Sequence, residues 1–115
     1  MPTKSVQSAA VLSAARDFAH RVAAVWPMRG AMLFGSQARG NARAGSDTDV
    51  AVLLNGTPGD FVATKLALDD VAYDVLLDSG IRIQPLPIWE GEWAHPEAYS
   101  NPRLLENIAR EGFAL

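Results

Sequence analysis

Residues Phe34 to Leu54 read FGSQARGNARAGSDTDVAVLL, and this stretch decides the fold. Gly35 and Ser36 open it, ten residues follow, and Asp47 and Asp49 then lead into an aliphatic run. The run DVAVLL is rich in β-branched residues and apolar on both faces, which predicts a central strand buried within a sheet. We therefore expect a glycine–serine turn and two carboxylates to lie together at one end of that strand.

The composition is that of an ordinary folded protein. Hydrophobic residues make up 49% of the 115 residues and charged residues 20%, which predicts one globular domain spanning residues 1–115. The formal net charge of −3 offers no broad attraction to nucleic acid, so direct nucleic-acid binding is not expected. The absence of cysteine excludes disulfides, thiolate metal sites and thiol nucleophiles.

The N-terminal segment MPTKSVQSAAVLSAARDF has no uninterrupted apolar core, so it is a poor signal peptide. No apolar run approaches the length of a membrane span. A chain without cysteine also fits a reducing compartment. We therefore expect a cytoplasmic protein with no membrane partner.

Hydrophobic periodicity predicts a helix before the motif. This helix should run from about Val6 to Trp26 and stop at Pro27, because the residue before a proline is disfavoured in helical conformations. The short apolar run 31–34 predicts a strand, and residues Ser36 to about Asn41 predict a brief helix. The residues expected on the buried stripe of the first helix are Val11, Ala15, Phe18, Val22 and Val25.

Turn residues and a second periodic stretch predict another helix after the central strand. Thr57 is the expected N-cap, Pro58 the expected first helical residue, and the helix should end before Gly80. The residues expected on its buried stripe are Phe61, Leu68, Val71, Ala72 and Val75.

The C-terminal part of the sequence predicts one more strand and a final helix. The segment Ile81 to Ile88, IRIQPLPI, alternates like a strand, but its two prolines cannot donate ladder hydrogen bonds. The segment therefore lies at an edge of the sheet or becomes irregular after Gln84. Asn101 and Pro102 predict the start of the last helix, with Gly112 as its C-cap. The residues expected to face inward are Leu104, Leu105 and Ile108.

In chain order, the predicted elements are helix, strand, short helix, strand, helix, strand and helix. This order predicts an α/β or α+β fold, in which helices pack on a small mixed β-sheet. We find no internal repeat or linker in the sequence.

Asp47 and Asp49 lie two residues apart, so both side chains should point to the same face of a strand, with Cα atoms roughly 6.6 Å apart. Two carboxylates this close repel each other unless a cation neutralises them. Such a pair suits Mg²⁺, which prefers one or two carboxylates together with water and substrate phosphates. We therefore predict that Asp47 and Asp49 are metal ligands and catalytic residues.

The glycine–serine turn predicts the place where phosphates bind. Gly35 permits a close approach of the backbone, Ser36 offers a hydroxyl, and the next N–H groups open a helix whose N-terminus favours anions. Arg39 adds a positive charge in one interpretation and is an ordinary solvated arginine in the other, which is the expectation for Arg43. Ser46 is expected only to cap or turn the chain. We predict Gly35, Ser36 and Arg39 as nucleotide-binding residues, and the chemistry available there is attack on phosphorus.

The order Gly35-Ser36, ten residues, then Asp47-Thr48-Asp49 resembles the nucleotidyltransferase motif of the DNA polymerase β-like superfamily. The local form GSQARGNARAGSDTDVAVLL looks like the smallest members, the minimal nucleotidyltransferases (MNT). The alternative reading is a coincidental pair of turns, since glycine and aspartate are common turn residues. The resemblance implies the nucleotidyltransferase fold.

The resemblance also implies an activity and a partner. It implies Mg²⁺-dependent transfer of a nucleoside monophosphate, most often AMP from ATP, to a hydroxyl. It further implies a small helical HEPN protein as partner, in a toxin–antitoxin module whose MNT protein is the antitoxin and can adenylylate its partner. Transfer to a small molecule such as an aminoglycoside is less expected, because larger members use a second domain to hold such acceptors. Homo-oligomerisation stays open.

One position departs from the pattern of the resembled family. Its active members have a third carboxylate on the strand beside the aspartate pair, and Gln84 is the expected occupant here. Glutamine cannot act as a general base. Asp78 and Glu90 flank that strand and are the nearest acids in the sequence. The alternative function is therefore a catalytically weakened binding module that neutralises or scaffolds a HEPN partner by contact.

The remaining aromatic and histidine residues have simpler interpretations. Trp89 and Trp93, in WEGEW, are expected to pack in or near the core, with a partner surface as the alternative. His20 and His95 have no metal-ligand spacing around them, so neither is predicted as a ligand.

Overall fold

A computed structural model describes residues 9–40 and 46–115. The start of the first helix predicted at Val6, and the positions of Asn41 and Arg43, lie outside the described residues. The elements in chain order are α1 (Ala9–Ala23), β1 (Met28–Phe34), α2 (Gly35–Arg39), β2 (Thr48–Leu54), α3 (Phe61–Ser79), β3 (Ile83–Trp89), α4 (Glu90–Ala94), a 3-10 turn (Pro96–Ala98), α5 (Pro102–Glu111) and β4 (Phe113–Ala114).

The four strands form one mixed sheet in the order β3-β2-β1-β4. β1 pairs antiparallel with both β2 and β4, whereas β2 and β3 run parallel. The parallel pair requires a crossover, and α3 supplies it. The prediction of a mixed sheet with helices packed on it is confirmed, and so is the central position of β2.

β3 lies at the edge of the sheet and stays paired with β2 from Ile83 to Trp89, including both prolines. The predicted edge position is confirmed, and the alternative of an irregular segment after Gln84 is wrong. The chain tolerates the prolines because alternate residues of a strand point their N–H groups to opposite sides. Since the Arg82 carbonyl accepts a hydrogen bond from Thr48 N–H at 2.9 Å, Pro85 and Pro87 present their nitrogens to the open edge.

The two faces of the sheet bury separate apolar clusters. α1 and α3 cover one face, where Phe18 and Val22 pack with Leu33, Val50 and Val52. The C-terminal segment covers the other face, where the buried residues are Ala51, Ile88, Leu105 and Ile108. The sheet is thus buried on both sides along most of β2, which explains the continuous apolar run in the sequence.

The start of α3 corrects a prediction. Asp60, not Thr57, is the N-cap, and its Oδ1 accepts a hydrogen bond from Ala63 N–H at 3.0 Å. The preceding residues stay outside the helix, where Gly59 packs beside the Trp89 ring and Gly91 N–H donates to the Gly56 carbonyl at 3.3 Å. Phe61 becomes the first helical residue and is 45% exposed, so its place on the buried stripe was wrong.

The end of α1 corrects a second prediction. The helix ends at Ala23, and both Val25 and Trp26 donate their N–H groups to the Val22 carbonyl. This tightening turns Val25 outward, where it is 67% exposed, and Trp26 packs against the core instead. The other residues expected on the buried stripe of α1 are buried: Val11, Ala15, Phe18 and Val22.

Trp89 ends β3, and the rest of the WEGEW segment lies in the short helix α4, which the sequence did not predict. Trp89 is buried, and its N–H donates to Glu92 Oε1 at 3.1 Å. Trp93 is half-buried against the second apolar cluster. The prediction that both tryptophans pack in or near the core is confirmed.

The last helix follows its prediction closely. Asn101 caps α5 by accepting a hydrogen bond from Leu104 N–H, and Gly112 is the C-cap residue. Gly112 is extended rather than left-handed, because the chain continues into β4 beside β1. Among the described residues, no helix is both long and apolar enough to cross a membrane.

Candidate functional site

Asp49 lies in a row of residues that crosses three strands at one end of the sheet. It pairs in register with Phe34 on β1 and with Gln84 on the parallel strand β3. Side chains in such a row share one face of the sheet. The structure therefore brings the end of β1, the aspartate pair and the substituted position together, as the sequence predicts.

Gly35 follows directly after this row and adopts a left-handed conformation with φ of 73°. A Cβ built on Gly35 would overlap the Oδ2 atom of Asp49. Only glycine therefore satisfies both the backbone conformation and the close approach of the carboxylate. The Asp49 side chain lies directly against the backbone of the glycine–serine turn.

Ser36 is the second residue of α2 and lies in its first turn, half-buried. A side-chain hydrogen bond holds the two halves of the motif together, since Gln37 Nε2 donates to the Ser46 carbonyl at 3.4 Å. This bond ties α2 to the residue that precedes Asp47. Backbone N–H groups at the start of a helix have no intrahelical partner and attract anions.

Asp47 is the exposed member of the aspartate pair, and two donors of the edge strand region contact it. Gln84 Nε2 donates to Asp47 Oδ2 at 3.3 Å. Arg82 Nε lies 3.6 Å from Asp47 Oδ1. The side chains of Arg82 and Asp47 are 62% and 45% exposed, so solvent weakens this ion pair.

Asp49 differs from Asp47 in its electrostatic surroundings. Burial raises the pKa of Asp49, and the charge of Asp47 raises it further. Arg39 acts in the opposite direction and lowers the pKa of Asp49, so its positive charge acts on this carboxylate. Arg39 Nη1 also lies 3.5 Å from Glu111 Oε1 on α5. The site therefore holds more negative charge than its own residues neutralise, which is the environment that a cation relieves.

A family model described as polymerase beta, nucleotidyltransferase matches residues 27–84, from the start of β1 to Gln84. The chain belongs to this nucleotidyltransferase family. The match contains the glycine–serine turn, both aspartates and the strands that position them. The chain is thus a nucleotidyltransferase-like domain, and the family resemblance predicted from the motif is confirmed. A comparison of the sequence with curated proteins finds no match.

Two solved structures are similar to this nucleotidyltransferase-family chain. The first, a provisionally assigned nucleotidyltransferase from Sulfolobus solfataricus, is 15% identical, with a TM-score of 0.55 over 94% of this chain and 87% of that one. The second is a chain from a toxin–antitoxin structure with AMP-PNP, 18% identical, with a TM-score of 0.56 over 91% of this chain and 68% of that one. At these identities the similarity shows the fold alone.

The other two acids considered for the site have partners elsewhere in this nucleotidyltransferase-family fold. Asp78, near the end of α3, pairs with Arg21 on α1 at 2.5 Å. Glu90 follows β3 at its far end, where it pairs with Arg29 and accepts a hydrogen bond from Gly56 N–H. That hydrogen bond and Arg29 together lower the pKa of Glu90. Neither acid lies beside the aspartate pair, and Gln84 is the residue of β3 in register with Asp49.

The two carboxylates fit Mg²⁺ only as a partial ligand set. Among residues 9–40 and 46–115, no group of three or more His, Cys, Asp or Glu side chains could hold a metal. Mg²⁺ suits such a site when a nucleotide supplies further oxygens, because it keeps several waters and takes few protein ligands. The surplus negative charge around Asp49 and its position against the backbone of the glycine–serine turn fit this mode of binding.

Two residues make contacts at the site that the sequence did not predict, Arg82 and Gln37. Arg82 contacts Asp47, yet in sequence it is only a charged residue two positions before Gln84. Its role depends on the strand register, which no local pattern specifies. Gln37 joins the two halves of the motif, but within GSQAR it has no distinctive signal. Gln37 adjoins Ser36 in the chain and Arg82 lies two residues before Gln84, and that proximity was the available clue.

Proposed function

We propose that this chain is a Mg²⁺-dependent nucleotidyltransferase that transfers AMP from ATP to a hydroxyl of a partner protein. The observation that carries the proposal is the placement of Asp49 against Gly35, with Asp47 beside it. This arrangement puts a dicarboxylate next to the backbone turn where phosphates would bind. The family membership supports the reaction class, and the neighbour with AMP-PNP supports an adenine nucleotide.

Each predicted residue has a role in the proposal. Asp47 and Asp49 hold Mg²⁺, with the remaining ligands coming from water and the nucleotide phosphates. The backbone of Gly35 and Ser36 and the Ser36 hydroxyl hold the triphosphate, and Arg39 adds positive charge at its edge. When bound, Mg²⁺ stabilises the negative charge that develops on the phosphate oxygens during the reaction.

The transfer step is a displacement at the α-phosphorus. The acceptor oxygen forms a bond to that phosphorus while the bond to the bridging oxygen of the β-phosphate breaks. Pyrophosphate leaves with the electron pair, and the proton of the acceptor hydroxyl passes to water. No side chain of the site is assigned as the base, because Gln84 cannot accept a proton.

The biological setting is part of the same proposal. Residues 1–115 form one nucleotidyltransferase domain that acts in the cytoplasm and binds no nucleic acid directly. Its partner is a HEPN-type toxin, and the chain is the antitoxin of the pair. The similar toxin–antitoxin structure supports this arrangement.

A second candidate function rests on one specific observation. Gln84 is in register with Asp49 and donates to Asp47, whose other carboxylate oxygen faces Arg82. Protein donors thus already contact the exposed aspartate, and a third acid is missing. This favours a catalytically weakened binding module that neutralises or scaffolds its HEPN partner by contact alone.

One assay separates the two functions. The purified chain is incubated with Mg²⁺, the protein encoded by the adjacent gene and ATP radiolabelled at its α-phosphate. The enzyme proposal expects label on the partner with wild type and its loss in Asp47→Asn and Asp49→Asn. Glu106→Gln, an exposed carboxylate on α5, is the matched control and should transfer label normally.

The opposite result supports the module. Stable partner binding with no label transfer by wild type, and with affinity unchanged in both aspartate variants, would reject the enzyme. Transfer without Mg²⁺ would reject the metal part of the proposal alone.

A further inference from the structure

Helix α3 carries apolar side chains on two faces. Leu68, Ala72 and Val75 point inward and are buried against the sheet. A second set points outward, which we call the outer stripe: Val62, Leu66, Tyr73 and Leu77. A helix that is apolar on both faces is usually covered on both.

The outer stripe follows helical spacing. Its members lie 4, 11 and 15 residues after Val62, so they line one narrow face of the 19-residue helix. Each is between 58% and 66% exposed. Single exposed hydrophobic residues are common, but four of them aligned on one face of a helix are typical of a contact surface.

An acidic row borders the outer stripe. Asp70, Asp74 and Asp78 follow one another at four-residue intervals on the adjoining part of the helix. α3 contains four aspartates and one lysine, which leaves it with a net charge of −3, the formal net charge of the whole chain. Asp78 pairs with Arg21, whereas Asp70 and Asp74 have no ion pair among the described parts of the chain.

The outer stripe leads to a pocket of about 190 Å³ between α3 and β3. Tyr73 contributes to both the stripe and the pocket wall. The opposite wall includes Arg82 and Gln84, the two residues that contact Asp47. The apolar surface of α3 and the candidate site are therefore continuous around the edge strand.

We propose that the outer stripe binds a helix of the partner protein whose apolar face is bordered by lysine and arginine. The acidic row selects this partner by charge, and the apolar side chains supply the contact area. Resting on the proposed function, the pocket beside Tyr73 then admits the partner's acceptor hydroxyl past Arg82 and Gln84 towards Asp47. Docking and transfer thus use one continuous surface.

The charge of α3 argues against a second copy of this chain as the occupant. Two outer stripes packed face to face would bring two acidic rows together, and like charges in an interface cost affinity. A basic partner neutralises Asp70 and Asp74 instead.

The test uses two synthetic helical peptides with the same leucine stripe. Lysine and arginine border the stripe in one peptide, and glutamate borders it in the other. Each is titrated into the isotope-labelled full chain without nucleotide, and amide chemical shifts are followed by NMR. The basic peptide should bind saturably, with shifts centred on Leu66, Tyr73 and Leu77, and the acidic peptide should not bind.

Substitutions at two hydrophobic residues of similar exposure, one on the outer stripe and one outside it, make the test specific. Leu66→Glu should weaken binding of the basic peptide by about tenfold or more, as expected for a central contact. Val25→Glu is the matched control, since Val25 is a 67% exposed hydrophobic residue outside α3, and it should bind normally. Circular dichroism confirms that both variants remain folded.

Several outcomes would overturn the inference. These are the absence of peptide binding, equal binding of both peptides, shifts centred away from α3, or self-association of the chain that Leu66→Glu abolishes. The Asp47→Asn/Asp49→Asn variant should bind the peptide like wild type. Label transfer by this variant therefore tests the proposed function, and its peptide binding separately tests the docking surface.

Discussion

Asp49 and Asp47 lie in different surroundings, one towards β1 and the other towards β3. On the β1 side, Asp49 is half-buried against the backbone of Gly35, and its raised pKa reflects burial and a nearby like charge. On the β3 side, Asp47 is exposed and contacts a carboxamide and a guanidinium. The two carboxylates are two residues apart in sequence, yet Asp47 has direct side-chain partners, whereas Asp49 is compensated only in part by the charge of Arg39.

This difference suggests how the pair divides its work. Asp49 lies directly against a turn that requires glycine, so its carboxylate faces the backbone where phosphates would bind. On the proposed function, Asp47 would exchange its contacts with Gln84 and Arg82 for a bound cation. The β1 side therefore places Asp49 beside the turn, and the β3 side supplies the protein contacts of Asp47.

The largest expected effect comes from removing Asp49. We expect Asp49→Asn to reduce nucleotidyl transfer at least about 100-fold, because it removes a preorganised charge that supports the transition state. Asp47→Asn should have a smaller effect, since Asp47 is exposed and already neutralised in part. Initial rates of label transfer measure the activity of both variants, and equal losses would contradict the proposed difference between Asp49 and Asp47.

A smaller effect is expected from crowding the turn. Gly35→Ala and Gly80→Ala both place an alanine at a left-handed φ, 73° and 76°, but a Cβ meets no atom within 4 Å at Gly80. Left-handed strain alone costs about 1 kcal/mol of unfolding free energy. Gly35→Ala should cost about twice that, because it also displaces Asp49, and urea unfolding measures the difference. Equal costs would mean that Asp49 moves away freely.

The β3 side can be changed by restoring an acid. We expect Gln84→Glu to tighten Mg²⁺ binding and to raise Mg²⁺-dependent transfer by about tenfold, because it adds a ligand and a base beside Asp47. Gln84→Ala is the control that removes the hydrogen bond without adding a charge. Titration calorimetry with Mg²⁺ and transfer rates measure the two effects, and an unchanged Mg²⁺ affinity would contradict the prediction.

The smallest effect concerns pH. The raised pKa of Asp49 means that the folded chain binds this proton more tightly than the unfolded chain does. Stability without metal is therefore lost as pH rises through the folded-state pKa, and Asp49→Asn should remove that loss. Solvent screens the charge of this half-exposed group, so we expect Asp49→Asn to raise the free energy of unfolding by only about 0.5 kcal/mol at neutral pH.

Thermal unfolding of wild type and Asp49→Asn across acidic to neutral pH measures this effect. Adding Mg²⁺ at neutral pH should raise the Tm of wild type more than that of the variant. Identical pH profiles for the two proteins would show that Asp49 carries no electrostatic cost.

The sequence predicts those parts of the fold and site that depend on local chemistry or strong periodicity. The central strand, the edge strand with its prolines and the meeting of Gly35 with Asp49 all belong to this class. The N-cap at Asp60 was misjudged because a tertiary contact lies beside it, the Trp89 ring against Gly59, and Val25 was misjudged because the end of α1 tightens at the Val22 carbonyl. Neither contact leaves a local pattern.

The residues around Asp47 were harder to predict for a different reason. Arg82 reaches Asp47 only through the parallel register of β2 and β3, and register depends on the whole sheet. The pairing of β4 with β1 involves two residues at the end of the chain, too few to produce a period. Sequence patterns indicate which segments form strands, but not which side chains become neighbours.

The outward-facing nitrogens of Pro85 and Pro87 have a consequence for the fate of the protein in concentrated solution. An uncapped strand of seven residues would normally offer a template on which other chains add strand by strand into fibrils. At two alternate positions this border has carbonyl groups but no amide hydrogens, so an incoming strand finds an incomplete ladder. Resistance to amyloid-like growth is thus built into the backbone and survives any change in surface charge.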